Sequence, residues 1–137
     1  HWGTLAETLD ETVILIKTIN RQNFGITFEP ANLMACGSEF NKNALNQLLP
    51  HTENFYFQNI ILDKKGNHVF PTIHNGDVRV KYVSLENAKG INVFSFLDFL
   101  KEKKYDKWFT IHQPLFEDQK VEIAIKNASK LFLQYKF

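Results

Sequence analysis

Short runs of aromatic and β-branched residues alternate along the chain with longer stretches of helical periodicity. Short strands that are apolar on both faces and separated by amphipathic helices are typical of a parallel sheet buried beneath helices. The alternation therefore predicts an α/β domain with the order α-β-α-β-α-β-α. The predicted strands are 24–28, 54–62 and 108–111, and the predicted helices are 8–20, 43–49, 93–104 and 118–135.

The segment between the second predicted strand and the next helix is polar and rich in turns. The turn at 63–67 predicts a hairpin in which 68–72 pairs back on the preceding strand, and 78–83 is a further short strand. Residues 32–40 are expected to form a loop or short helical turns. No glycine-rich phosphate loop follows any of the strands, which favours half of a (β/α)8 barrel over a doubly wound nucleotide-binding sheet.

Composition limits the partners. The 137 residues are enough for one domain, and 16 basic against 15 acidic side chains give a net charge of +1 with no basic stripe, so we expect no nucleic acid partner. The longest uncharged apolar run, 13–16, is too short for a bilayer, so we expect no membrane partner. A single cysteine, Cys36, excludes an internal disulfide framework and a cysteine-based zinc site.

Four stretches carry polar residues where a strand ends: His1–Thr4, Gly25–Asn32, Asn54–Asn59 and Tyr105–His112. In this order they resemble strands five to eight of the sugar phosphate isomerase/epimerase family, the xylose isomerase-like TIM barrels. The turn Asn75–Val78 fits the glycine-containing segment that follows the family's seventh strand. The resemblance implies a partial TIM barrel, in which residues 1–137 form the C-terminal half, about strands six to eight with their helices.

The resemblance also implies an activity, the isomerisation or epimerisation of a sugar, sugar phosphate or related polyol. In such enzymes one divalent metal sits at the C-terminal mouth of the barrel. Oxygen-rich ligands with one imidazole suit Mn²⁺ or Mg²⁺. The ion acts as a Lewis acid while two carboxylates move a proton between adjacent carbons.

Carried over residue by residue, the family's site falls on the ends of the predicted strands. Glu29 takes the sixth-strand carboxylate position and is expected to bind the metal. His112 takes the eighth-strand glutamate position and is expected to act as a metal ligand and as the catalytic base. Four neutral amides, which can both donate and accept hydrogen bonds, are expected to bind substrate hydroxyls: Asn32, Gln58, Asn59 and Gln113.

Two other functions stay open. Because Tyr56 and His112 stand where the family has a metal histidine and a glutamate, the chain could instead belong to a non-catalytic sugar-binding barrel with a degenerate metal site. The AP endonucleases share the fold but hold several zinc ions, which need more histidine and carboxylate ligands than these strands supply. A half barrel also leaves strand edges unpaired, so we expect the isolated chain to form a homo-oligomer or to aggregate.

Overall fold

The computed structural model describes residues 1–116 and 119–134. They form a three-stranded parallel sheet and a three-stranded antiparallel sheet, with helices packed on them. The helices are α1 (Leu9–Ile19), α2 (Pro30–Ala35), α3 (Lys42–Leu48), α4 (Val93–Glu102) and α5 (Val121–Leu133), with a 3-10 turn at Leu49–His51. The strands are β1 (Ile26–Phe28), β2 (Thr52–Phe57), β3 (Ile60–Leu62), β4 (His68–Thr72), β5 (Gly76–Tyr82) and β6 (Trp108–Ile111).

The parallel sheet has the order β1-β2-β6, and its two faces differ. Phe28 pairs in register with Phe55, and both pack with Phe57 in a hydrophobic cluster that includes side chains of α3, α4 and α5. The intervening positions face the other side, where the amide of Asn54 donates to the hydroxyl of Thr110 at 3.0 Å. The prediction that the strands are apolar on both faces is therefore wrong, because alternate side chains point to opposite faces and one face here is polar.

The first helix forms where the sequence predicts it, because the signals at its start are local. The Thr8 hydroxyl accepts a hydrogen bond from the Glu11 N–H, and the Glu11 carboxylate accepts one from the Thr8 N–H, so the predicted capping box forms. The helix ends at Asn20, whose φ of 42° is left-handed. The predicted helix 118–135 is confirmed over Val121–Leu133, and its predicted ends at 118 and 135 lie outside the described residues.

The predicted strand 54–62 is wrong as a single element. Its first part is β2 of the parallel sheet and its last part is β3 of the antiparallel sheet. The two polar residues Gln58 and Asn59 separate the strands, and the Asn59 side chain is held by backbone groups of another segment. An apolar sequence pattern does not reveal such a change of sheet, because β2 and β3 are built from the same aromatic and β-branched residue types.

The hairpin prediction is also corrected. Strand β4 pairs with β5, not with β3, and β5 lies between them in the order β3-β5-β4. The turn closes where Thr72 pairs with Gly76, whose φ of +61° favours glycine. Strand β5 has seven residues and is the central strand of this sheet, with β3 paired along one side and β4 along the other.

A second hydrophobic cluster joins the antiparallel sheet to α2. Pro30 starts this helix, so the segment 32–40, expected as a loop or short helical turns, is helical as far as Ala35. Ala31 and Ala35 pack with Phe70 and Val80 of the antiparallel sheet. The antiparallel sheet therefore lies beside the segment that directly follows β1. None of the described helices is both long enough and apolar enough to span a bilayer.

Candidate functional site

Three polar side chains follow the three strands of the parallel sheet at the same edge. Glu29 follows β1, Gln58 follows β2 and His112 follows β6. The carboxyl ends of parallel strands meet at one edge, which is where ligands bind in sheets of this kind. The backbone N–H of His112 donates to the Phe57 carbonyl at 2.9 Å, which fixes the chain as it leaves β6.

Glu29 and His112 form a hydrogen-bonded pair across this edge. Glu29 Oε1 lies 3.2 Å from His112 Nδ1, although the residues are 83 positions apart in the sequence. The carboxylate side chain is 8% exposed, whereas the imidazole is 57% exposed. Burial raises the pKa of Glu29 above its ordinary value, and the contact with His112 opposes that rise. The Tyr56 ring lies beside the imidazole, with 5.4 Å between ring centroids.

Asn32 supports the carboxylate from α2. Its Nδ2 donates to Glu29 Oε2, so each carboxylate oxygen has a partner. The Oδ1 of Asn32 is buried and has no hydrogen-bond partner among the described residues. An unpaired buried acceptor costs about 1–3 kcal/mol, so a position that retains one is well placed to accept from a ligand.

A cavity of about 420 Å³ opens beside this edge. Glu29, Asn32 and Tyr56 line one part of it, and residues before and within α1 line another. Thr27, from the polar side of the parallel sheet, also lines it. A volume of this size matches a small-molecule ligand.

A second carboxylate, which the sequence analysis missed, also lines this cavity. Glu7 is 2% exposed and accepts hydrogen bonds from the backbone N–H groups of Gly3, Ile73 and His74. Burial raises the pKa of Glu7, but these hydrogen bonds outweigh it, so the pKa lies below its ordinary value. Glu7 stands 66 positions before Ile73, and no local pattern links the two segments.

Two of the predicted substrate-binding amides are used inside the protein. Asn59 is 1% exposed, its Nδ2 donates to backbone carbonyls including that of Asn87 at 2.9 Å, and its Oδ1 accepts from the Ile91 N–H at 2.8 Å. Gln113 accepts from the Asn59 N–H at 2.9 Å and donates to the Val83 carbonyl at 3.1 Å. Both amides therefore hold the loop before α4 against the sheet edge, whereas the Asn32 Oδ1 has no partner within 1–116 and 119–134.

The donor set does not fit a complete metal site. Within 1–116 and 119–134 there is no group of three or more histidine, cysteine, aspartate or glutamate side chains that could hold an ion. The predicted ligands Glu29 and His112 come together, but as a hydrogen-bonded pair, with the Asn32 Oδ1 as the remaining oxygen. Mn²⁺ and Mg²⁺ prefer about six ligands, mostly oxygens. The ion stays a prediction from the resemblance.

No protein-family model matches the sequence, and no curated protein matches it either. The structure is similar to the crystal structure of a xylose isomerase domain protein from Planctomyces limnophilus, with 22% identity and a TM-score of 0.65 over 96% of this chain and 43% of the other. It is also similar to the probable 3-DHS dehydratase AsbF from Bacillus anthracis, involved in petrobactin synthesis, with 21% identity and a TM-score of 0.64 over 95% and 46%.

The chain spans less than half the length of these two solved structures. The similarity covers nearly the whole of this chain, so the predicted fold class, part of a (β/α)8 barrel, is confirmed. At this level of identity the similarity speaks for the fold and not for a shared reaction. The chain has the α/β fold of part of a xylose isomerase-like TIM barrel.

Proposed function

We propose that the chain forms one side of a sugar- or polyol-binding site that isomerises or epimerises its substrate. The observation that carries the proposal is the Glu29–His112 pair at the carboxyl edge of the parallel sheet. A buried carboxylate joined to an exposed imidazole is a common arrangement for general acid–base catalysis. The Oδ1 of Asn32, which no described residue hydrogen-bonds, adds an acceptor for a substrate hydroxyl beside the pair.

The chemistry follows from the direction of that hydrogen bond. We assign the proton to His112 Nδ1, which donates to Glu29 Oε1, because a carboxylate accepts. Nε2 then keeps its lone pair and takes a proton from the carbon next to the substrate carbonyl. The C–H electron pair forms the C=C bond of an enediol while the carbonyl oxygen takes a proton from the solvent. His112 Nε2 then returns its proton to the former carbonyl carbon, and the hydroxyl on the first carbon releases its proton to the solvent as it becomes the new carbonyl.

Glu29 supports this step in two ways. It holds the imidazole in the tautomer that exposes Nε2, and it stabilises the imidazolium that forms when Nε2 takes the proton. Because Glu29 is buried and bound by Asn32, its position is fixed before the substrate arrives. We expect Mn²⁺ or Mg²⁺ from the family resemblance, and we assign no step to the ion.

The second candidate is a sugar-binding site without chemistry. Two observations favour it. The Asn32 Oδ1, which no described residue hydrogen-bonds, belongs to an amide, and amides do not titrate. The Tyr56 ring beside His112 offers an apolar face for a sugar. Binding and proton transfer differ in one measurable respect, since only proton transfer exchanges a carbon-bound hydrogen with the solvent.

The test uses the full-length protein in D₂O with a panel of aldoses and ketoses, with and without MnCl₂, followed by ¹H NMR. The proposal predicts loss of the proton signal on the carbon next to the carbonyl, and little exchange in His112→Gln and Glu29→Gln. Loss of a general base typically slows a reaction by about 10²–10⁴-fold. The matched control is His51→Gln, because His51 is exposed and precedes β2, at the opposite edge of the sheet.

Three results are distinguishable. Exchange that depends on Glu29 and His112 but not on His51 supports the isomerase. Sugar binding that is weakened by His112→Gln, with no exchange in any condition, supports the binding site. Neither binding nor exchange across the panel would overturn both.

A further inference from the structure

Resting on the proposed function, we infer that the substrate is a neutral sugar or polyol, with no phosphate or carboxylate group where it meets this chain. Sugar phosphate isomerases and free-sugar isomerases carry out the same proton transfer, so the reaction class does not decide between them. The groups that line the cavity do, together with His112, which is not a lining residue but is bound to the lining Glu29.

The first argument is the direction of the available hydrogen bonds. The Asn32 Oδ1 is a buried acceptor without a partner among the described residues. With the proton on Nδ1 bound to Glu29, His112 Nε2 is an acceptor as well. These groups fit a ligand that donates, as vicinal hydroxyls do. A carboxylate, or a phosphate in the dianionic form that predominates at neutral pH, offers only acceptors and would leave them unpaired.

The second argument is the charge. Glu7 and Glu29 both line the cavity. In the described part of the chain its lining includes one histidine, His1, and neither lysine nor arginine. The hydrogen bonds that Glu7 receives keep it ionised at neutral pH, since its pKa is lowered. An anionic substrate group here would meet like charge in a partly desolvated space.

The third argument concerns the backbone N–H groups, which bind phosphates in many folds. Five such groups close to Glu7 and Glu11 are already used by the chain's own carboxylates. The N–H groups of Gly3, Ile73 and His74 donate to Glu7. Those of Glu7 and Thr8 donate to the Glu11 carboxylate. An incoming anion would have to displace an internal carboxylate to be bound by these groups.

The test compares free sugars with their phosphates on the full-length protein by isothermal titration calorimetry, with and without MnCl₂. The pairs are D-fructose with D-fructose 6-phosphate and D-ribulose with D-ribulose 5-phosphate. We expect the free sugar of at least one pair to bind about tenfold or more tightly than its phosphate, the factor that one repulsive contact at moderate screening gives. Glu29→Gln and His112→Gln are measured alongside to show that binding occurs at this site.

A charge-adding variant tests the cause. Thr27→Lys places a cation on an exposed strand position that lines the cavity, and we expect it to bring the affinity for the phosphate up by about tenfold relative to the free sugar. Thr18→Lys is the matched control, since Thr18 is exposed on α1 and is not among the cavity-lining residues.

The outcomes separate this inference from the function on which it rests. A phosphate that binds as tightly as the free sugar or more tightly, with binding lost in Glu29→Gln, overturns the inference and leaves the proposed site in place. If no free sugar or phosphate binds in a way that depends on Glu29 or His112, the proposed function fails and the inference fails with it.

Discussion

We expect Asn59 to stabilise the fold, and Asn59→Ala measures how much of the free energy of unfolding depends on this one buried amide. The side chain is 1% exposed, and its Nδ2 lies within 3.3 Å of the backbone carbonyls of Ser84, Leu85, Asn87 and Ile91. Two N–H groups can make two good hydrogen bonds, and the bond from the Ile91 N–H to Oδ1 is the third.

The magnitude follows from this count. Three hydrogen bonds at about 1 kcal/mol each, and about 1 kcal/mol more for a buried Ile91 N–H left without a partner, give about 4 kcal/mol. Domains of this size are stable by about 5–15 kcal/mol, so Asn59→Ala removes a large fraction. With a urea dependence of about 2 kcal/mol per molar, the unfolding midpoint falls by about 2 M.

Urea unfolding followed by tryptophan fluorescence gives the measurement. Asn46→Ala is the matched control, because Asn46 is exposed in α3 and its change is expected within about 0.5 kcal/mol of the wild type. A loss below about 1 kcal/mol for Asn59→Ala, or one equal to that of Asn46→Ala, would refute the claim that this amide holds the loop before α4.

Three further predictions follow from the charges and edges. Glu29→Gln is expected to remove activity and to raise the Tm at neutral pH. The pKa of Glu29 is raised, which means that its charged form destabilises the fold. The gain in Tm should therefore disappear in thermal melts as the pH falls through that pKa. The pKa of Glu11 is lowered from 4.5 to about 2 by the Thr8 N–H and by His74, so its stabilising effect is present above about pH 4.5 and is lost on acidification towards 2, and Glu11→Gln should flatten that part of a Tm-against-pH curve. The outer strands β1 and β6 each pair on one side only within the described sheet, so light scattering should detect association of the isolated chain, and a monodisperse monomer would contradict this.

Much of the fold was predictable because its signals are local. The capping box of Thr8 and Glu11 marks the start of α1. The strand predicted at 108–111 begins and ends at the same residues as β6. Strand pairing is not local, and it was predicted less well. The run 54–62 divides between two sheets, and Asn59 at the division is held by a loop about 30 positions later in the sequence. A prediction that reads only neighbouring residues cannot detect a contact over this distance.

The candidate site divides in the same way. The resemblance assigned Glu29 and His112 to one site, and the structure puts them 3.2 Å apart at the edge where the carboxyl ends of the parallel strands meet. The resemblance assigned the same kind of role to every amide at a strand end. Only hydrogen-bond partners far along the chain separate Asn32, with its free acceptor, from Asn59 and Gln113, whose amides bind backbone groups.

The separation of the core into two hydrophobic clusters has a consequence for hydrogen exchange. One cluster holds the parallel sheet to its helices, and the other holds the antiparallel sheet to α2, with Phe40 packed against both. The smaller cluster contains six buried residues, against seventeen in the larger, so less apolar surface resists its opening. Amide protons of β3, β4 and β5 should therefore exchange through a subglobal opening, at a lower free energy than those of β2, which exchange only when the whole domain unfolds.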